Sequence, residues 1–314
     1  VRSARQLYLL HLALGGIGAA LVSGGSVAVF SGTSLGFPSA GEISQACDSW
    51  LSAGGPASLL GFGIIALALT ALGLGTRSAR RQLRSSRSYL AALSIRDTEV
   101  VVEGIPCRVI GGTEPQAFCA GYLRPRIYLS QGALEQLNKA ELEAVVAHEM
   151  HHLRRREPLR LLIATALADS LFFLPILRRM SERYRALGEL AADEAAVKAL
   201  HGRAPLASAL LKFSEPEPSP TAVVGIDPER VDHLMGDARA SRWRLPRTPL
   251  GRSVLVLAAL GSVVLLVWHG IVNPTLEFPL LLAAGCMLLM IGGPVVLASG
   301  ALVLSRKALR ARRA

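Results

Sequence analysis

Cysteine is scarce in this sequence and shows no pairing pattern. Cys47, Cys107, Cys119 and Cys286 form no Cys-x-x-Cys, which excludes a disulfide scaffold and a cysteine-built metal cluster and leaves them as small buried apolar residues. Aromatic residues make up only 5% of the chain. No basic stretch is interleaved with them, so direct nucleic-acid binding is not expected despite a formal net charge of +11. Acidic residues number 23 against 34 Lys and Arg. The excess lies in arginine clusters beside apolar runs, the pattern of a membrane protein held against an anionic inner leaflet and in contact with membrane lipids. Histidine is rare too, seven in 314 residues, and three of the seven fall within five positions.

Apolar residues are abundant, 51% of the chain with a mean hydropathy of +0.40, more than two soluble domains need. Leu7 to Phe30 and Pro56 to Gly75 read as two membrane helices within residues 1–76, the first too long for a signal-peptide core. His11 in the first reads either as a packing residue or as a buried functional group. Residues 31 to 56 carry Glu42 and Asp48 but no Lys or Arg, whereas Arg77, Arg80, Arg81, Arg84 and Arg87 follow the second span. By the positive-inside rule the loop is external, and the segment 77–252 is cytoplasmic. Ser253 to Val272 and Pro279 to Leu304 read as two more spans, followed by a basic tail from 305 to 314. The expected fold class is an α-helical membrane protein with about four transmembrane helices, both termini inside, one further apolar helix that dips into the membrane or lies on it, and a cytoplasmic α+β domain.

Within that domain, Glu99 to Val102, Cys107 to Ile110, Ala117 to Ala120 and Ile127 to Leu129 read as strands, punctuated by Gly111-Gly112 and Arg124-Pro125. Gln116, Ala117, Phe118, Cys119 and Ala120 are the candidate strand for holding an extended substrate, with an internal strand as the alternative. Asn138 and Glu141 have the spacing of a capping box for a helix from Lys139 to about Glu157. That helix contains His148-Glu149-Met150-His151-His152. Side chains four apart share a helix face, so His148 and His152 suit one zinc ion, with Glu149 beside it as general base toward water. The azimuth of His151 fits a flanking or substrate-facing group. Glu189 is the expected third ligand, and Asp193, four residues on, the acceptor for the free ring N–H of one histidine. Tyr184, Arg185 and His201 are candidates for an oxyanion donor, though a regular helix puts His201 roughly 18 Å from Glu189.

The stretch from Leu159 to Leu177 is long enough to cross a bilayer, but one crossing would separate Glu189 from the two histidines. It is therefore expected to dip into the membrane, lie on it or fold as a buried hairpin, with Pro175 near a bend. Arg160 or an arginine after Leu177 is the expected partner of Asp169.

Taken together, Ala117-Phe118, Leu123-Arg124-Pro125-Arg126-Ile127, Glu141 to Glu149 and Glu189-Leu190-Ala191-Ala192-Asp193 resemble the BlaR/MecR family of bacterial membrane metallopeptidases over roughly residues 90 to 200. The resemblance implies a gluzincin fold, one zinc ion on His148, His152 and Glu189, and Glu149 as general base. It also implies a multi-pass protein of the bacterial plasma membrane that cleaves a cytoplasmic DNA-binding repressor of the BlaI type. A homodimer is compatible with such a protein. Antibiotic-sensing members carry an external penicillin-binding domain where this sequence has a basic tail, so direct β-lactam sensing is not expected. Quality-control proteases of the HtpX type and CAAX prenyl proteases share the histidine motif but place more membrane structure before the distal Glu. A receptor or scaffold with a metal-dependent, non-proteolytic output is the third reading.

Overall fold

The computed structural model describes residues 2–31, 56–214, 229–231 and 246–269. The expected external loop, the span Pro279 to Leu304 and the basic tail lie outside them. In order, the described elements are α1 (Arg2–Ser31), α2 (Pro56–Ala92), β1 (Ile95–Val102), β2 (Ile105–Ile110), β3 (Ala117–Ala120), β4 (Arg126–Ser130), α3 (Gln131–Gln136), α4 (Lys139–Arg155), α5 (Glu157–Ser170), α6 (Pro175–Leu200), α7 (Ala204–Ser214) and α8 (Arg247–Trp268). Three stretches, Ala4–Ser31, Leu60–Ala92 and Arg247–Trp268, are long and apolar enough to cross a membrane.

The chain divides into two compact units. In the unit formed by residues 20–69 and 259–314, Val29 and Ile64 are buried together, with Phe62, Ile65 and Val263 packed around them. The other unit, residues 1–19 and 70–258, holds the sheet and the histidine motif.

The four strands stand in the order β1-β2-β4-β3. β1 and β2 pair antiparallel through Glu103 and Gly104, both at positive φ (49° and 75°), the backbone a two-residue hairpin requires. β2 and β4 run parallel, so the chain visits the outside position as β3 before returning, and β3 pairs antiparallel with β4. The segment expected to carry substrate is thus an edge strand. Cys107, Ile127 and Leu129 are fully buried and meet Val146 of α4, which fixes the motif helix on the sheet.

α4 begins with the expected capping box. Asn138 Oδ1 accepts from the Glu141 N–H at 3.0 Å, and Glu141 Oε2 accepts from the Asn138 N–H at 2.8 Å. Glu141 is buried and also accepts from Ser208 Oγ (2.6 Å) and Lys212 Nζ (2.7 Å), which ties α7 to the start of α4. Burial pushes the Glu141 carboxyl up, but Lys212, Ser208 and the Asn138 N–H outweigh it and hold it down at about 2.

α4 ends two residues earlier than expected. Arg156 takes a left-handed conformation (φ 49°, ψ 44°), closing α4 and starting α5, and Pro158, which lacks a backbone donor, fits the first turn of the new helix. The stretch from Leu159 to Leu177 is then resolved as a hairpin. α5 has 14 residues, about 21 Å of helix, short of the ~30 Å hydrocarbon core. The chain turns at Leu171 to Leu174, and Pro175 opens α6. Leu171, Leu174, Ile176, Leu177 and Met180 form a core with Leu7 and Tyr8 of α1. Part of the first apolar run is therefore protein interior. His11 is 1% exposed, a burial that both of its expected readings share.

Among the described residues, Asp169 is partnered neither by Arg160 nor by an arginine after Leu177. Ser78 Oγ of α2 donates to it at 2.5 Å, with Arg81 Nη2 at 3.9 Å, because the hairpin tip lies beside α2. Arg160 instead sits over the Tyr8 ring, 5.5 Å from its centre.

Candidate metal centre

The helical spacing of four puts His148 and His152 on one face of α4, and their Nε2 atoms point at one another across 3.1 Å. Glu189 of α6 completes the group, with Oε2 3.6 Å from His148 Nε2 and Oε1 3.8 Å from His152 Nε2. Ligand atoms of all three lie within 4.8 Å of one another. Donors at about 2.0–2.2 Å in a tetrahedral site lie about 3.3 Å apart, so the residues present fit a metal ion. Two imidazoles and a carboxylate also suit a borderline cation of the zinc kind.

Each histidine has its own carboxylate. His148 Nδ1 is 2.9 Å from Asp193 Oδ1, so the residue expected to orient one of the pair serves His148. His152 Nδ1 contacts Glu157 Oε2, a residue the sequence reading left as the end of the motif helix. Glu157 reaches back because the chain reverses at Arg156. Gly188 leaves room for it, since a Cβ at 188 would stand 2.9 Å from Glu157 Oε1. With Nδ1 facing a carboxylate on both rings, the Nε2 lone pairs are left for a shared cation.

The field around the pair is strongly negative. Burial disfavours the His148 imidazolium, but Asp193, Glu189 and Glu149 outweigh it and raise its pKa to about 10. Burial also raises Glu149, against the nearby histidines and the Cys119 N–H. Burial would raise Glu189 and Asp193 as well, yet His148 and Arg230 hold both at about 2. A cluster with more carboxylates than cations, largely out of water, is stabilised by a divalent ion.

Arg230 is the second residue that sequence reasoning missed. Its Nε and Nη2 donate to Asp193 Oδ2 and Oδ1 at 2.9 and 2.7 Å, a bidentate pair, while Nη1 lies 3.3 Å from Glu189 Oε2. No local pattern around it announced this role. For Glu157 a signal existed, because an acidic residue followed by proline reads as the start of a new helix.

The cluster lines a cleft of about 360 Å³ that also takes in Ala117, Phe118 and Cys119 of the edge strand. Gln116 sits just before that strand, its N–H donating to Ser130 Oγ at 2.8 Å, and Ala120 closes it opposite Arg126. Tyr184 and Arg185 line the same cleft, and the Tyr184 hydroxyl is buried with no hydrogen-bond partner among the described residues. His201 is the left-handed cap of α6 and lies off the cleft. His151 takes the flanking one of its two expected positions: it lines a separate cavity with Glu143 and Glu194, since neighbouring residues on a helix stand about 100° apart and it is turned away from the face of His152. Burial and Glu149 raise the Cys119 and Cys107 thiols to about 12 and about 11.

Residues 75–230 match the family model described as BlaR1 peptidase M56. No curated protein and no solved structure matches the chain.

Proposed function

The chain belongs, through residues 75–230, to the BlaR1 peptidase M56 family of membrane metallopeptidases, and on that premise we propose that it is a multi-pass zinc endopeptidase cutting a cytoplasmic repressor of the BlaI type. The convergence of His148, His152 and Glu189 carries this reading. The three candidate spans and the arginines that follow the second of them support a plasma-membrane protein with its site and both termini in the cytoplasm.

Zinc held by His148, His152 and Glu189 supplies Lewis acidity toward a carbonyl and acidifies water. The protein does the rest. Edge strand β3 pairs its outward backbone groups with an extended peptide, which lays the scissile bond along the cleft beside Glu149. Glu149, raised by burial, takes a proton from the attacking water and returns it to the leaving amine. Tyr184 offers its unpartnered hydroxyl to the oxyanion. Asp193 and Glu157 hold the two imidazoles with Nε2 toward the cluster.

The test uses the full chain in nanodiscs with a BlaI-type repressor. Cleavage at one bond, lost in Glu149→Gln while bound zinc is retained, is expected. Persistent cleavage by that variant overturns the general-base assignment. Equal rates on the repressor and on misfolded membrane proteins favour the quality-control reading instead.

A further inference from the structure

We propose that arginines gathered at the tip of the α5–α6 hairpin form a headgroup site for an anionic phospholipid, an inference that rests on α2 and α8 being membrane spans. A cavity of about 710 Å³ lies between the end of the α2 apolar run and the hairpin tip. Arg77 and Arg81 of α2 line it from one side, Arg178 and Arg179 of α6 from the other. Its acids are Asp169 and Glu182, so cations are in excess by two. Neither acid is free: Asp169 takes Ser78, and Glu182 is shared by Arg178 and Arg179 at a loose 3.4 Å each. The side chains of Arg81, Arg178 and Arg179 remain 76%, 82% and 66% exposed. Their guanidinium forks are available to a phosphodiester, whose oxygens they match better than a carboxylate held at 3.4 Å.

Position argues for a lipid over a soluble anion. Ser170 Oγ donates to the Ala71 carbonyl of α2 at 2.9 Å, and the Ile176 N–H donates to Ser253 Oγ of α8 at 3.2 Å. The tip is therefore fastened to two candidate spans where each changes from arginine-bearing to apolar, at Arg77 in α2 and after Arg252 in α8. A neighbouring cavity shares Arg179 and reaches Arg252, which adds an arginine from the third element. Phe172 at the tip is 50% exposed, an apolar surface beside the charged one, as acyl chains below a headgroup need.

The same hairpin carries the metal centre at its other end. Glu157 opens α5 and contacts His152, and Glu189 stands on α6. A headgroup that fixes the tip thus restrains the two helices that supply Glu157 and Glu189, and anionic lipid raises peptidase activity by populating the ordered hairpin.

The experiment places the full chain in phosphatidylcholine nanodiscs and titrates phosphatidylglycerol against a fluorescent phosphatidylglycerol. Saturable binding is expected, weakened on the order of twentyfold in Arg178→Gln/Arg179→Gln at about fivefold per arginine. Arg124→Gln/Arg154→Gln removes equal charge from exposed sites elsewhere and is expected to bind as the parent does. Inorganic phosphate is expected not to compete. Non-saturable binding, or equal losses in the two double variants, reduces the effect to general leaflet attraction and overturns the site. Displacement by inorganic phosphate overturns the lipid assignment in favour of a soluble anion. If the chain fails to enter nanodiscs, the membrane reading has failed and the site with it. Binding is read without substrate, so loss of repressor cleavage alone leaves it standing.

Discussion

Glu157 touches the Nδ1 atom of His152, five residues earlier in the chain, because Arg156 between two helices turns left-handed. A candidate metal ligand and the carboxylate beside it are thus joined by one backbone reversal. That contact depends on residues of three kinds: a ligand, a turn residue that tolerates positive φ, and a glycine opposite.

Glu157→Gln keeps the shape but removes the charge that makes His152 a strong donor. Zinc affinity, measured by competition with a chromogenic chelator, is expected to fall about 10–100-fold, with the helical circular dichroism unchanged. Unchanged affinity contradicts the orienting role. Gly188→Ala pushes a methyl to within 2.9 Å of the same carboxylate and is expected to lower affinity in the same direction.

Arg230 makes a separate prediction. Arg230→Met leaves Asp193, 0% exposed in its side chain, without its bidentate partner and with His148 alone beside it, so the loss is expected to stay below the about 3–5 kcal/mol of a buried pair broken outright. Lower thermal stability and weaker metal binding are both expected. Arg230→Lys restores the charge but not the fork, so it should recover less than half of the loss. Full recovery with lysine means that charge alone matters.

The linkage of Glu141 to pH has a definite sign. Its folded pKa is about 2, below the ordinary carboxylate value of about 4.3. Its ionised form therefore stabilises the fold above that ordinary value, and the contribution is lost as pH falls toward about 2. Lys212→Met is expected to flatten the fall in melting temperature between those limits. A parallel shift of the whole curve refutes the assignment.

Backbone crowding at Gly132 is severe. A Cβ there would stand 2.0 Å from the Thr113 carbonyl oxygen, and the Gly132 N–H donates to the Gly112 carbonyl at 2.9 Å. Neither backbone can retreat, so Gly132→Ala is expected to destabilise by about 2–4 kcal/mol, seen in chemical denaturation. A change below 1 kcal/mol, the ordinary surface range of roughly ±0.5, means the loop is free to move.

Local patterns made much of this legible before any coordinates. The strands at 117–120 and near 127–129, the Asn138–Glu141 capping box and the histidine spacing all depend on neighbours within a few residues. The grouping of Glu189 with His148 followed from donor chemistry and from the need to share one side of a membrane. What stayed hidden depends on chain reversals. Glu157 read as the end of a helix because Arg156 carries no turn signal of the glycine kind. Asp169 finds Ser78 across 91 positions, and Arg230 finds Asp193 across 37, distances over which no periodicity speaks. A hairpin was one of three options foreseen for the stretch from Leu159 to Leu177, and that stretch turns back on itself and packs against α1.

That packing has a consequence for how the protein is made. Tyr8 lies with its ring centre 5.0 Å from that of Tyr184, and Gly15 and Gly18 lie against Leu167 and Leu174. The N-terminal half of α1 leaves the ribosome before the hairpin and meets these partners only once α5 and the start of α6 have emerged. Glu189 and then Arg230 come later still. During synthesis the histidine pair therefore exists for a time without Glu189, and the three-residue group of His148, His152 and Glu189 is complete only once α6 has packed against α4 and α1.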